Sequence, residues 1–291
     1  MKPAPFQYLS PQSLAEAVSL LAEHGDEAKV IAGGQSLVPM MAFRLATPSV
    51  LVDLNRVTEL DYVRRDGDTL VLGAITRHRA VQELAWARER CAVLAEGVDL
   101  IGHPAIRNRG TVGGSLAHAD PAAEWPALLL ALDGEIDAVG PGGRRTIAAP
   151  DLFVTYFTTS LAPDEVLAEV RLPVPNGGSV GSSFVELARR HGDFAISGVA
   201  ALMRLAADGS VAEASIALIG VRDTAVRARG AEAVLRGAHP TDDALAEAAG
   251  SVADEISPMS DIHGSADYRT HVATVLVRRA LGIARDRAGG R

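Results

Sequence analysis

The sequence predicts a mixed α and β protein built from two compact units. At 291 residues the chain exceeds one typical domain of roughly 100 to 200 residues. Its 48% hydrophobic and 22% charged residues suit a packed core rather than disorder. Two glycine-broken segments, at Gly33-Gly34 and Gly113-Gly114, interrupt alternating helix and strand patterns in the first half. A crowd of breakers, Pro173, Pro175, Asn176, Gly177 and Gly178, then precedes a change to consecutive strand-like runs.

In order, Leu14, Val18, Leu20 and Leu21 repeat at a helical period over Ser13 to His24, and Gly25 supplies a stop. This helix is expected to open the fold. Lys29 to Ala32 reads as a strand, Ser36 to Leu45 as a helix and Val50 to Leu54 as a strand. Thr69 to Leu72 is a further strand, and Arg79 to Cys91 and Val93 to Ile101 are helical. The glycine-broken segment Arg109 to Leu116 leads to a helix from Pro121 to Leu132, with Asp120 placed to cap it. Strands and loops fill Glu135 to Pro173. The breakers place a domain boundary at residues 176 and 177, giving units 1–176 and 177–291. Beyond it, Ser182 to Arg190, Ala195 to Leu205 and Val211 to Val221 predict an antiparallel meander, its second turn marked by Asp208-Gly209. Helices over Thr224 to Leu235, Asp242 to Ile256 and Ala266 to Ala284 close the chain, the last burying Val272, Val275, Leu276 and Ala280.

Composition narrows the function. With 28 Lys plus Arg against 36 Asp plus Glu, the net charge is 28 − 36 = −8, and only 4% of residues are aromatic. A basic groove with stacking aromatics for nucleic acid has no raw material here. Cys91 is the single cysteine, so this chain alone cannot ligate an iron–sulfur cluster, which needs about four ligands, mostly thiolates. The eight histidines show no metal-ligand spacing, and no metal site is expected. No run approaches the roughly 20 apolar residues of a membrane span, and the N-terminus lacks a signal-peptide core, so a cytoplasmic location is expected.

Two motifs carry chemistry. In Ala32-Gly33-Gly34-Gln35-Ser36-Leu37, adjacent glycines let backbone N–H groups approach an anion with no Cβ in the way, and Ser36 adds a hydroxyl. By itself such a turn is more often just a tight connection. It is neither the G-x-G-x-x-G of a dinucleotide turn nor a P-loop. Gly110-Thr111-Val112-Gly113-Gly114-Ser115-Leu116 repeats the arrangement. Two such loops meeting in space would grip a diphosphate from opposite sides, largely through main-chain donors. Asp120 can accept from a ribose hydroxyl or cap the helix before Pro121. Arg107 and Arg109 can face phosphate charge or hold the loop.

The run Ala32 to Pro39 with Arg44, the run His103 to Ser115, and Ala119-Asp120-Pro121 together resemble the FAD-binding medium subunit of the molybdenum hydroxylases, a family that includes the carbon monoxide dehydrogenase medium chain and the flavin portion of xanthine dehydrogenase. The resemblance extends over nearly the whole chain, including Arg190 to Ala195 and Tyr268 to His271. It implies an α+β protein: a vanillyl-alcohol-oxidase (PCMH)-type FAD-binding domain of two α/β subdomains, split near 55–60, then a C-terminal domain with a three-stranded antiparallel sheet and helices.

The resemblance also implies that FAD is held by Ala32, Gly33, Gly34, Gln35, Ser36 and Leu37 and by Thr111, Val112, Gly113, Gly114 and Ser115, with Asp120 as a sugar contact. Lys29 and Ile101 match positions near the cofactor, and Leu161 one close to the flavin ring. Gly192-Asp193-Phe194 matches a segment that carries Tyr in some relatives; Phe194 keeps the aromatic face without the phenol. His103 and His118 are read as mainly structural. No catalytic acid or base is required, because the redox chemistry belongs to the cofactor. The family route implied is substrate oxidation at a molybdenum cofactor in a large subunit, electron passage through two [2Fe-2S] clusters in a small subunit, and collection by this flavin, in a dimer of heterotrimers. Against it stand a self-sufficient FAD oxidase or dehydrogenase of the same fold, for which the C-terminal unit is small, and a non-catalytic scaffold whose glycines merely make turns.

Overall fold

The structure is a computed structural model that describes residues 2–175 and 177–290. Asn176, on which the expected domain boundary falls, lies outside the described residues. The helix Leu14–His24 forms as its pattern dictates: the Ser13 hydroxyl accepts from the Glu16 N–H at 3.2 Å, and Gly25, at φ 51°, ends it. Ala17, Val18 and Leu21 bury its inner face against a parallel three-stranded sheet, in the order Gln7–Leu9, Val50–Asp53, Ala28–Ile31. A strand therefore precedes the helix that was expected to open the fold; three residues are too few to show a period.

A second, antiparallel sheet runs Val63–Asp66, Thr69–Gly73, Val166–Pro173, Glu135–Gly140, Gly143–Ala148. One face carries ion pairs, Arg171 binding Glu135, Asp137 and Glu169 at 2.6 to 2.8 Å. The other packs beneath the helices Ala92–Leu100, Val112–His118 and Glu124–Ala131 around fully buried Trp125, Leu128 and Leu129. The expected Arg79 to Cys91 helix is two, His78–Gln82 and Ala85–Arg90. The Arg88 guanidinium takes the Gln82 carbonyl at 3.0 Å, and Leu84 between them is extended.

The C-terminal sheet has four antiparallel strands, Ser179–Leu187, Ser197–Leu205, Val211–Ile219 and Val226–Arg227, rather than three. The extra strand occupies the start of the expected Thr224 to Leu235 helix, which begins only at Arg229. Arg227 explains the change: paired in register with Ala217, it donates to the Leu130 carbonyl at 3.0 Å and to Asp133 at 2.6 Å, contacts a helical start there would break. Alternation along these strands divides two cores. Phe184, Ala200, Leu202, Ala217 and Ile219 join the core of the N-terminal unit, whereas Val199, Ala201, Met203, Ile216 and Leu218 face the helices Arg229–Leu235, Asp242–Ser251 and Ala266–Ala288. Of the face expected on the last helix, Val272, Leu276 and Ala280 are buried but Val275 is exposed.

Candidate functional site

The first glycine pair follows the strand Ala28–Ile31 and precedes the short helix Leu37–Ala42. Gly34 takes φ 70°, a left-handed conformation that favours glycine, and the Gln35 side-chain amide closes the turn by donating to the Gly33 carbonyl at 2.8 Å. Among the described residues, the N–H groups of Gly33, Gly34, Gln35, Ser36 and Leu37 make no hydrogen bond, nor does the Ser36 hydroxyl cap the helix. A half-buried run of five unpaired donors requires water or an anionic acceptor.

The second glycine segment differs from expectation: it is the first turn of the helix Val112–His118, not an open loop. Thr111 caps it, accepting from the Gly114 N–H at 3.1 Å. The Val112 N–H donates to the Thr76 carbonyl, the Gly113 N–H to the Ala74 carbonyl at 2.8 Å, and the Ser115 N–H to the Thr111 carbonyl. Glycine is needed at 113 for approach, since a Cβ there would lie 2.6 Å from the Ala74 Cβ. The open main-chain donors of the pair are thus concentrated in the first segment; the second offers the Thr111 N–H and the Ser115 hydroxyl, neither of which is hydrogen-bonded among the described residues.

The two segments touch. A Cβ on Gly33 would lie 2.7 Å from the Gly110 Cα and closer still to the Arg109 carbonyl oxygen, and one on Gly114 would lie 3.8 Å from the Ala32 Cβ. Glycines here let the end of the parallel sheet meet the helical layer closely, with the unpaired amides of the first segment beside this seam of contact. This cradle fits a diphosphate.

Around the far end of the Val112–His118 helix the structure gathers Lys29, His118 and Asp120. Burial raises the Asp120 pKa, opposed by the Ala122 N–H, which donates to its Oδ1 at 2.9 Å, and by His118; burial lowers His118, and Lys29 adds to that. Asp120 caps this turn and not the helix, which starts at Glu124. Phe157, at φ 53°, donates its N–H to the Ala119 carbonyl at 3.3 Å and sets its ring 5.1 Å from His118. Leu161, four residues on, is half-buried against the N-terminal core. Ile101 is buried, and its carbonyl accepts from Arg107 at 2.9 Å. Arg107 is itself buried and also binds the Asp99 and Gly102 carbonyls, so it holds this turn, while Arg109 and His103 are exposed. Gly192 abuts the turn, since its Cβ would lie 2.9 Å from the Gly102 oxygen, and Phe194, two residues on, is 60% exposed.

Sequence reasoning misses the polar groups beneath the seam. The Asn55 amide donates to the Ala32 carbonyl at 2.8 Å, and Arg77 donates to Asn55 Oδ1 at 2.6 Å and to the Arg109 carbonyl. Asn55 is also fixed by Asp53, which accepts from the Tyr8 hydroxyl. Buried His78 accepts at Nδ1 from the Trp125 indole at 3.0 Å and has its pKa pushed down to about 3, mainly by burial, so it is neutral. No local pattern in the sequence marks Asn55 or Arg77, whose partners come from distant segments. Among the described residues no group of three or more His, Cys, Asp or Glu could hold a metal ion, and no helix is long and apolar enough to cross a membrane.

Comparison with known proteins matches residues 4–175 to the FAD binding domain in molybdopterin dehydrogenase and residues 182–284 to the CO dehydrogenase flavoprotein C-terminal domain. The 6-hydroxypseudooxynicotine dehydrogenase complex subunit alpha of Paenarthrobacter nicotinovorans is 43% identical over 99% of this chain and 97% of its own length. The carbon monoxide dehydrogenase medium chain of Hydrogenophaga pseudoflava is 40% identical over 98% of each. Among solved structures, carbon monoxide dehydrogenase from Hydrogenophaga pseudoflava superposes with a TM-score of 0.96 at 41% identity, covering 99% of both chains. Quinoline 2-oxidoreductase from Pseudomonas putida 86 superposes at 0.93 and 37% identity, again over 99% of both.

Proposed function

Because the chain belongs to the FAD-binding medium subunits of the molybdenum hydroxylases, the family of the carbon monoxide dehydrogenase medium chain, we propose that it collects electrons from two [2Fe-2S] clusters on a small partner subunit and passes them to an external acceptor. The large partner carries the molybdenum cofactor and chooses the substrate, and two such heterotrimers pair. The chain is the flavoprotein subunit of an oxidoreductase complex. Its contribution is to bind and orient FAD rather than to supply an acid or base.

The observation that carries this reading is the contact of Gly33 with Arg109 and Gly110, which closes a seam beside five unpaired amides. In the proposed site, Gly33 to Leu37 donate to the diphosphate, and Thr111 and Ser115 complete its far side. Ala32 and Gly114 leave room for it. Asp120 accepts from a sugar hydroxyl, with Lys29 near that end. Ile101, Leu161 and Phe194 flank the ring and exclude water, Phe194 by its apolar face alone. FAD, when bound, supplies the ability to take electrons singly and release them as a pair. A single cysteine, Cys91, buried and with its pKa pushed up to about 11 by burial, fits a chain that leaves cluster ligation to a partner.

The test is titration of purified chain with FAD, followed by affinity isolation of the native protein. Stoichiometric uptake with a bound-flavin spectrum, and companion chains carrying iron and molybdenum, are expected. A protein that ignores added FAD would favour the scaffold reading, and reduction of the isolated flavoprotein by a simple substrate would favour a self-sufficient dehydrogenase.

A further inference from the structure

We propose that Asn55 and Arg77 are positioning residues for the diphosphate, forming a bracket that ties the two glycine segments together and occupies one carbonyl of each. The inference rests on the proposed FAD site and deepens it. A strand end exposes carbonyls as well as N–H groups, and a carbonyl facing a phosphate oxygen repels it. An anion cradle therefore works only if those carbonyls are occupied by donors of the protein.

The geometry supplies that satisfaction from one linked pair. The Asn55 amide donates to the Ala32 carbonyl at 2.8 Å, at the head of the first segment. The Arg77 guanidinium donates to the Arg109 carbonyl, at the head of the second, and to Asn55 Oδ1 at 2.6 Å. One chain of hydrogen bonds thus spans both segments from below, at the place where Gly33 meets Arg109 and Gly110. It is anchored at the other end by Asp53, which accepts from the Asn55 N–H at 2.9 Å and from the Tyr8 hydroxyl. Arg77 is further fixed by the β-bridge between its backbone and that of Thr111. Its rigid planar fork holds two acceptors in fixed directions, which a compact ammonium with rotatable donors does less well. The bracket stands to the phosphate as an outer partner stands to a metal ligand: it orients the groups that bind and is not itself a binding group.

The experiment compares wild-type chain with Asn55→Ala, Arg77→Gln and Arg77→Lys. Three quantities are read: the Kd for FAD, the unfolding temperature without ligand, and backbone hydrogen exchange without ligand. Both bracket-breaking variants are expected to weaken FAD binding by about tenfold or more, with Arg77→Lys in between. Exchange should quicken at residues 32–37 and 109–111 and stay unchanged elsewhere. If Arg77→Gln does not fold, Asn55→Ala, which removes a partly exposed amide, carries the test. Variants that bind FAD within about threefold of wild type overturn the bracket, as does a loss of affinity matched by faster exchange throughout the chain. Failure of the wild-type chain to take up FAD would instead sink the functional reading.

Discussion

Replacing Gly33 with alanine tests the seam with the smallest possible probe. The added Cβ would sit 2.7 Å from the Gly110 Cα, with the Arg109 carbonyl oxygen closer still. Carbon atoms prefer about 3.5 to 4.0 Å, so the two segments must part by about 1 Å. Both opposing atoms are backbone, and no side chain can swing aside. Overpacking of this kind costs roughly 1 to 3 kcal/mol. The site is only half-buried, so the ligand-free chain relieves the strain by letting the seam open, while a diphosphate held across the seam needs it closed. The penalty should therefore appear in affinity, as a 5- to 140-fold rise in Kd at about 1.4 kcal/mol per tenfold. Flavin fluorescence titration measures it, with urea unfolding of the ligand-free chain as reference. Gly142→Ala is the control, since a Cβ there meets nothing within 4 Å. Gly33→Ala binding FAD within twofold of wild type would refute the reasoning that the segments clasp one group between them.

Other outcomes follow from buried polar groups. Burial, and then Glu186, push the Glu124 carboxyl up to about 8, and burial lifts Glu186 to about 7; Glu186 ionises first, so Glu124 alone titrates against a charged neighbour. Both bind a proton more tightly folded than unfolded, where a value near 4.5 applies. Their stabilisation is complete below that pH and is lost progressively as pH rises from there to about 8, so the unfolding temperature should fall over this range and Glu124→Gln should flatten the profile. Arg107→Ala strands the carbonyls of Asp99, Ile101 and Gly102 and should cost roughly 3 kcal/mol in urea denaturation. Phe194→Tyr adds a phenol to an exposed ring; stability should move by less than about 0.5 kcal/mol, while the bound-flavin absorbance spectrum shifts.

Local chemistry made part of this molecule readable. Ser13 and Gly25 bound their helix because a hydroxyl cap and a left-handed stop are short-range devices. The Asp208-Gly209 hairpin is equally local, with Gly209 at φ 85° and the Ala206 N–H donating to the Ser210 carbonyl at 2.8 Å. Val63–Asp66 escaped because every residue in it is exposed, leaving no alternation to read. Val226–Arg227 escaped because partners nearly a hundred residues away, Leu130 and Asp133, decide it. The structure brings the two glycine segments together, but symmetry of sequence suggested a symmetry of donors that the structure does not show. Ala74 and Thr76 consume amides of the second segment through tertiary bonds that no local pattern announces. Asn55 and Arg77 were hidden for the same reason, each being ordinary until the other chain segments arrive.

The sheet between Ser179 and Ile219 presents apolar residues to both units, Phe184 and Leu202 to one and Val199 and Met203 to the other. A construction of this kind has no spare face to offer the solvent. Cutting the gene after the first unit would leave a greasy scar where Phe184 and Ile219 had been, and cutting before the second would leave another. The two halves should therefore melt in one transition and resist being traded singly between relatives.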